Sequence, residues 1–167
     1  MDELRSLGID DNTVIIFTSD HGDMLGDHGL SQKNVPYEHS VRVPLIMHWP
    51  GRTAAGKTCE DLVGLTDVLP TIMHGCGLEY PVSEGPLPGS SLLSATGGGL
   101  GEDRDAFAVD YGHGRNRWVS LRGRRYKYAW WASGGREELF DLQDDPWETA
   151  NLAASEPDLA AAYRHQV

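Results

Sequence analysis

Four side chains between positions 20 and 33 could do chemistry together. They are the Asp20 carboxylate, the His21 imidazole beside it, His28 in Gly26-Asp27-His28-Gly29, and the Lys33 ammonium twelve residues after His21. A carboxylate and an imidazole can ligate a divalent cation, and a fixed ammonium can neutralise an oxyanion. Taken by residue type alone, a capping aspartate and a packed histidine explain Asp20 and His21 better, and a lone lysine is ordinarily solvated. A hard cation such as Ca²⁺ wants more oxygen ligands than this pair offers. An imidazole suits general-acid duty, which gives His28 a second reading besides that of a structural loop residue.

These groups need a scaffold, and the surrounding pattern supplies one. Residues 13–18, Thr-Val-Ile-Ile-Phe-Thr, are β-branched and aromatic without a polar break, which predicts a strand buried on both faces. The run stops at Ser19-Asp20-His21-Gly22, so the polar groups sit at the strand's carboxyl end, where open α/β sheets bind ligands. Residues 20–38 then read as a long functional loop. A helix is predicted over 2–7, a second strand over 43–49 and a short strand over 61–65. Another helix begins at Thr66 or Asp67 and runs to about His74, with Gly75 and Gly77 as its stops.

Residues 80–101 are rich in Pro, Gly and Ser, with Gly97-Gly98-Gly99 as the clearest hinge. Beyond it come four strand candidates, 106–111, 118–122, 126–131 and 138–142, with Gly123-Arg124 as a hairpin turn. A helix over 157–165, started by Ser155 or Glu156, closes the chain. The expected organisation is therefore an α/β unit over 1–98 and a small antiparallel sheet with a C-terminal helix over 99–167.

Several motifs recur in a recognisable order: FTSDHGDMLGDHGL, then Lys33, then PYEHSVRVPLIMHWPG over 36–51. Near the end come Arg125-Tyr126-Lys127-Tyr128, Glu138-Leu139-Phe140-Asp141-Leu142, Asp145-Pro146-Trp147-Glu148 and Asn151-Leu152. In this order they resemble the sulfatase family of the alkaline-phosphatase superfamily, through nearly the whole chain. The resemblance implies the carboxy-terminal part of that family's α/β sheet domain, followed by a small four-stranded antiparallel sheet and a helix. It makes Asp20 and His21 ligands of a divalent metal, most simply Ca²⁺. Lys33 becomes the catalytic lysine on the sulfate, with His28 close enough to contact substrate.

Family members also carry a Cys- or Ser-x-Pro-x-Arg signature whose first residue becomes formylglycine, the nucleophile. Neither Cys59-Glu60-Asp61 nor Cys76-Gly77-Leu78 fits it, and Ser155-Glu156-Pro157-Asp158-Leu159 has Leu159 where arginine is required. The family's amino-terminal Asp pair has no counterpart either. The resemblance thus implies a sulfatase portion that is inactive alone, acts on sulfate esters when completed, and needs a missing amino-terminal half or self-association. Two rivals stand beside it: a phosphonate or phosphate monoester hydrolase of the same superfamily, and a non-catalytic module or subunit.

Composition bounds the remaining partners. A net charge of −11 argues against nucleic acid, and no apolar stretch approaches the length of a membrane span. Met1-Asp2-Glu3-Leu4 is acidic and helical in character, unlike a secretory signal, and compartment is left open. The two cysteines read as ordinary free thiols. Arg115, Arg117, Arg122, Arg124, Arg125 and Lys127 cluster among aromatic residues; a solvated hairpin face is the expectation, with an anion grip as the alternative. Glu38 and Arg42 are expected to pair beside the site. An uncovered sheet is expected to expose Val14, Ile16, Leu45 and Met47 and to invite association.

Overall fold

The structure is a computed structural model that describes residues 1–81, 85–93 and 104–167. The expected hinge at Gly97-Gly98-Gly99, and with it the boundary between residues 98 and 99, lies outside them.

Helix α1 (Asp2–Ser6) leads into strand β1 (Ile15–Thr18), which pairs antiparallel with β2 (Leu45–His48). Between them runs the 20–37 loop and then a four-residue helix, α2 (Glu38–Val41), which the sequence pattern did not suggest. The strand at 13–18 is not buried on both faces. Cross-strand partners Phe17 and Ile46 are 60% and 61% exposed, because β1 and β2 have only each other as described neighbours. Parity also corrects the expected apolar face: Phe17 and Ile46 turn outward, whereas Ile16, Leu45 and Met47 are half-buried and Val14 is exposed.

The strand expected over 61–65 does not form. Residues Leu65–Asp67 make a 3₁₀ turn instead, and Asp67 is fully buried at its end. Its carboxylate accepts the Gly64 and Ser90 N–H groups at 2.8 and 2.9 Å and both terminal nitrogens of Arg104 at 2.6 Å. Gathering these donors curls the backbone around one carboxylate and leaves no extended ladder. Helix α3 (Val68–Cys76) follows and stops at Gly77, whose φ of 66° is left-handed. Gly75 is not a stop: it lies inside α3, where a Cβ would come within 2.0 Å of the Trp49 ring.

The second sheet has strands β3 (Ala106–Tyr111), β4 (Trp118–Gly123), β5 (Tyr126–Trp131) and β6 (Arg136–Asp141), antiparallel and in chain order. Side chains alternate between its faces. On one face Tyr128 and Leu139, which are cross-strand partners, pack with Ala160 of helix α4 (Pro157–Arg164). Tyr126, Trp130, Leu159 and Tyr163 extend that core. The opposite parity holds Tyr111, Trp118, Arg122, Lys127, Trp131, Glu138 and Phe140, as the pairs Tyr111–Trp118, Trp118–Trp131, Arg122–Lys127 and Lys127–Phe140 require. That face carries the 20–41 segment, with Met24, Tyr37 and Phe140 as its buried core. The molecule is thus a mixed α/β structure in which the small sheet is the platform for the candidate loop.

Candidate functional site

Asp20 and His21 leave the end of β1 together. The Asp20 carboxylate accepts the His21 N–H at 3.1 Å, and its other oxygen is 3.4 Å from His21 Nε2. His21 Nδ1 lies 2.7 Å from the Gly22 carbonyl oxygen, which assigns the ring proton to Nδ1 and leaves a lone pair on Nε2. Lys33 Nζ is in hydrogen-bonding contact with that Nε2. Three of the four sequence-derived candidates, Asp20, His21 and Lys33, therefore converge on one point.

The electrostatics match the geometry. Partial desolvation pushes the Asp20 carboxyl up, but the His21 imidazole, the Asp20 and His21 backbone N–H groups and the Lys33 ammonium outweigh it. Its pKa settles below the ordinary carboxylate value. The Nε2 lone pair, which accepts from Lys33 here, and the ionised carboxylate beside it are a donor set that fits one side of a divalent cation's shell once Lys33 turns aside. Among the described residues no group of three or more His, Cys, Asp or Glu side chains could hold a metal ion. Asp20 and His21 could thus furnish part of a shell and no more.

Gly22 explains why this turn can form. Its N–H donates to the Ser40 carbonyl at 2.8 Å, and a Cβ there would lie 2.0 Å from the His39 carbonyl oxygen. The Asp-His-Gly turn is thereby laid directly on α2. Helix α2 is in turn fixed from far away. Fully buried Glu148 accepts the Glu38 N–H at 2.6 Å and pairs with Lys127 Nζ at 2.9 Å. The same ammonium, 1% exposed, meets the Glu38 carboxylate at 3.0 Å, with Arg122 Nε 3.5 Å from that oxygen. Glu38 therefore pairs with Lys127 and Arg122 rather than with Arg42. Tyr37, the residue before α2, donates to Glu138 at 3.0 Å; burial and the Glu138 carboxylate push its phenol up to about 12.

His28 goes elsewhere. Its Nε2 is 3.0 Å from the Trp147 carbonyl oxygen, and its ring stacks on Tyr37 with centroids 4.2 Å apart. No hydrogen bond among the described residues joins it to Asp20, His21 or Lys33. With Asp27, His39, Trp147 and Thr149 it lines an open cleft of about 310 Å³. His39 pairs there with Asp27 at 2.9 Å and stacks on Trp147.

The basic cluster divides: Arg115, Arg117, Arg124 and Arg125 lie on an exposed face, as expected of a solvated hairpin, whereas Lys127 is buried and Arg122 half-buried beneath α2. Arg117 pairs with Asp110, Arg122 and Lys127 with Glu38, Arg124 with Asp61, and Arg125 with Asp141. Sequence reasoning missed the supporting roles of Glu38, Lys127 and Glu148. The only available signal was their presence in the recurring motifs; nothing local linked them.

Comparison with known proteins places these features in context. Residues 26–164 match the family described as N-sulphoglucosamine sulphohydrolase, C-terminal. An arylsulfatase of Clostridium perfringens is 35% identical over 161 residues, 92% of this chain and 32% of that protein. A solved complex of a relative with its substrate D-glucosamine-2-N,6-O-disulfate superposes with a TM-score of 0.86 at 27% identity, over 99% of this chain and 35% of the other. The phosphonate monoester hydrolase of Agrobacterium radiobacter gives 0.84 at 30% identity, over 99% and 36%. The chain spans about a third of the length of each.

Proposed function

Because the chain belongs to the sulfatase family, to the group described by its N-sulphoglucosamine sulphohydrolase C-terminal region, we propose that it is the carboxy-terminal portion of a metal-dependent sulfate ester hydrolase. The convergence of Asp20, His21 and Lys33 carries this reading. With Lys33 turned from Nε2 to the sulfate, Asp20 and the His21 Nε2 lone pair would hold a divalent metal, best Ca²⁺, which when bound supplies positive charge to oxygens of the sulfuryl group. Lys33 is the catalytic lysine of this site. Its ammonium binds a sulfate oxygen and stabilises the charge that builds there in the transition state. His28 and the cleft it lines are assigned to the alcohol half of the ester.

These 167 residues contain no Cys- or Ser-x-Pro-x-Arg signature, so the formylglycine nucleophile must come from outside them. The isolated chain then has no sulfatase turnover. The exposed β1–β2 face is where the amino-terminal half, or a second copy of the chain, would pack. A phosphonate or phosphate monoester hydrolase is the second reading, favoured by the likeness to the Agrobacterium radiobacter enzyme. Relative rates of the completed enzyme on 4-nitrophenyl sulfate and 4-nitrophenyl phenylphosphonate separate the two. A non-catalytic subunit would give neither.

The direct test is a titration of the chain with inorganic sulfate in the presence of Ca²⁺, followed at the His21 and Lys33 resonances. Saturable shifts at both are expected, with the His21 shift lost in Lys33→Gln. Binding that leaves both resonances still would overturn the assignment.

A further inference from the structure

Lys33 is flanked by two non-glycine residues in the left-handed region, Gln32 at φ 73° and Asn34 at φ 79°. Such residues carry a conformational cost and persist only where their surroundings impose them. On the amino-terminal side the Gln32 carbonyl accepts the Met24 N–H at 2.7 Å, and Met24 is fully buried. On the carboxy-terminal side the imposition comes from the small sheet. Asn34 Oδ1 accepts the Tyr111 hydroxyl at 2.6 Å, and the Asn34 carbonyl oxygen accepts the Trp118 indole N–H at 2.9 Å.

The two donors are themselves fixed. Tyr111 and Trp118 are cross-strand partners on β3 and β4, and their rings stack with centroids 5.3 Å apart. Trp118 is 2% exposed, so its indole is not free to follow a moving loop. Both the side chain and the main chain of Asn34 are therefore held by one rigid aromatic pair. Asparagine suits the position because it tolerates left-handed backbone and also offers a side-chain acceptor.

We propose that Asn34, clamped by Tyr111 and Trp118, is a positioning residue that aims the Lys33 ammonium at His21 Nε2 and so at the oxyanion position beside it. The long, flexible lysine stem gives no such direction by itself. Fixing the backbone on either side of it removes rotational freedom that would otherwise be lost on anion binding. The oxyanion part of the proposal rests on the sulfatase reading; the Lys33–His21 contact does not.

The experiment uses the 167-residue chain and two variants that spare the buried Trp118. Tyr111→Phe removes one hydroxyl from a residue that is 40% exposed. Asn34→Gly keeps the left-handed backbone and removes the side-chain acceptor. Two quantities are read: the nuclear Overhauser effect between the Lys33 ε-methylene and the His21 ring, and the dissociation constant for inorganic sulfate. In both variants the Overhauser effect is expected to fall and sulfate to bind about three- to tenfold more weakly, as loss of one ordering hydrogen bond implies. Amide shifts in α4 should stay put, which separates aiming from unfolding. Variants that keep the wild-type Overhauser effect overturn the proposal, as does its absence from the wild type. If it falls in the variants while no form binds sulfate, the clamp stands and the sulfatase reading fails.

Discussion

Glu148 accepts the backbone N–H of Glu38 at 2.6 Å across 110 residues of chain. The N-cap residue Tyr37 makes no side-chain cap, so a remote carboxylate does for α2 what a local serine or aspartate ordinarily does. Glu148 adopts a φ of 56° to reach it. Its other oxygen meets Lys127, so capping and charge neutralisation share one buried side chain.

Glu148→Ala should destabilise the chain by about 3–5 kcal/mol, because it leaves the buried Lys127 ammonium short of a counter-charge. Glu148→Gln should cost less, since the amide oxygen can still accept from Glu38. Urea unfolding of both variants checks this; equal losses would mean that the cap contributes nothing.

Gly22→Ala should dislodge the Asp-His-Gly turn, since the new methyl would overlap the His39 carbonyl. A stability loss of about 1–3 kcal/mol is expected from the forced backbone shift. The sharper sign is loss of the His21 response to sulfate. An alanine variant with wild-type stability and sulfate response would show that α2 does not hold the turn.

Acid should act through Asp67. Burial pushes its carboxyl up, but the Arg104 fork and the Gly64 and Ser90 N–H groups outweigh it, so its folded pKa lies below the unfolded value. A depressed carboxylate contributes fully above the unfolded value of about 3.9, and the contribution is lost as pH falls through the lower folded value. Stability should therefore drop below about pH 4. Asp67→Asn should remove about 3 kcal/mol at neutral pH and flatten that drop. Thermal melts from pH 2 to 7 measure both, and an unchanged acid limb would exclude Asp67 as its source.

How much of this was legible beforehand depends on how far each cause lies from its effect. Strands over 106–111 and 126–131 declare themselves through local alternation, and the structure has them at those bounds. Asp20, His21 and Lys33 sit on one loop, so their convergence needs little beyond a bend after β1. Helix α2 left no trace, because four residues show no periodicity and its cap lies at position 148. Lys127 read as one more charge in a basic run, since its carboxylate partners are 89 and 21 residues away in sequence. Phe17 read as core because an apolar run does not say what lies against it.

The β1–β2 face should govern association. Phe17 and Ile46 form an exposed cross-strand apolar pair on a sheet of two strands. Concentration-dependent self-association is expected by sedimentation, with Phe17→Lys shifting it toward monomer. A wild-type chain that sediments as one concentration-independent monomer would rule this out.

The reach from Glu148 back to Glu38 also sets a clock on biosynthesis. At about 5–20 residues per second, the ribosome takes roughly 5–20 s to make the 110 residues between the helix and its cap. Through most of that interval the Asp20–Lys33 loop has been translated while the sheet that shapes it, which ends at Asp141, is incomplete. The loop that carries the candidate site is thus translated well before the cap on α2 that holds its Asp-His-Gly turn in place.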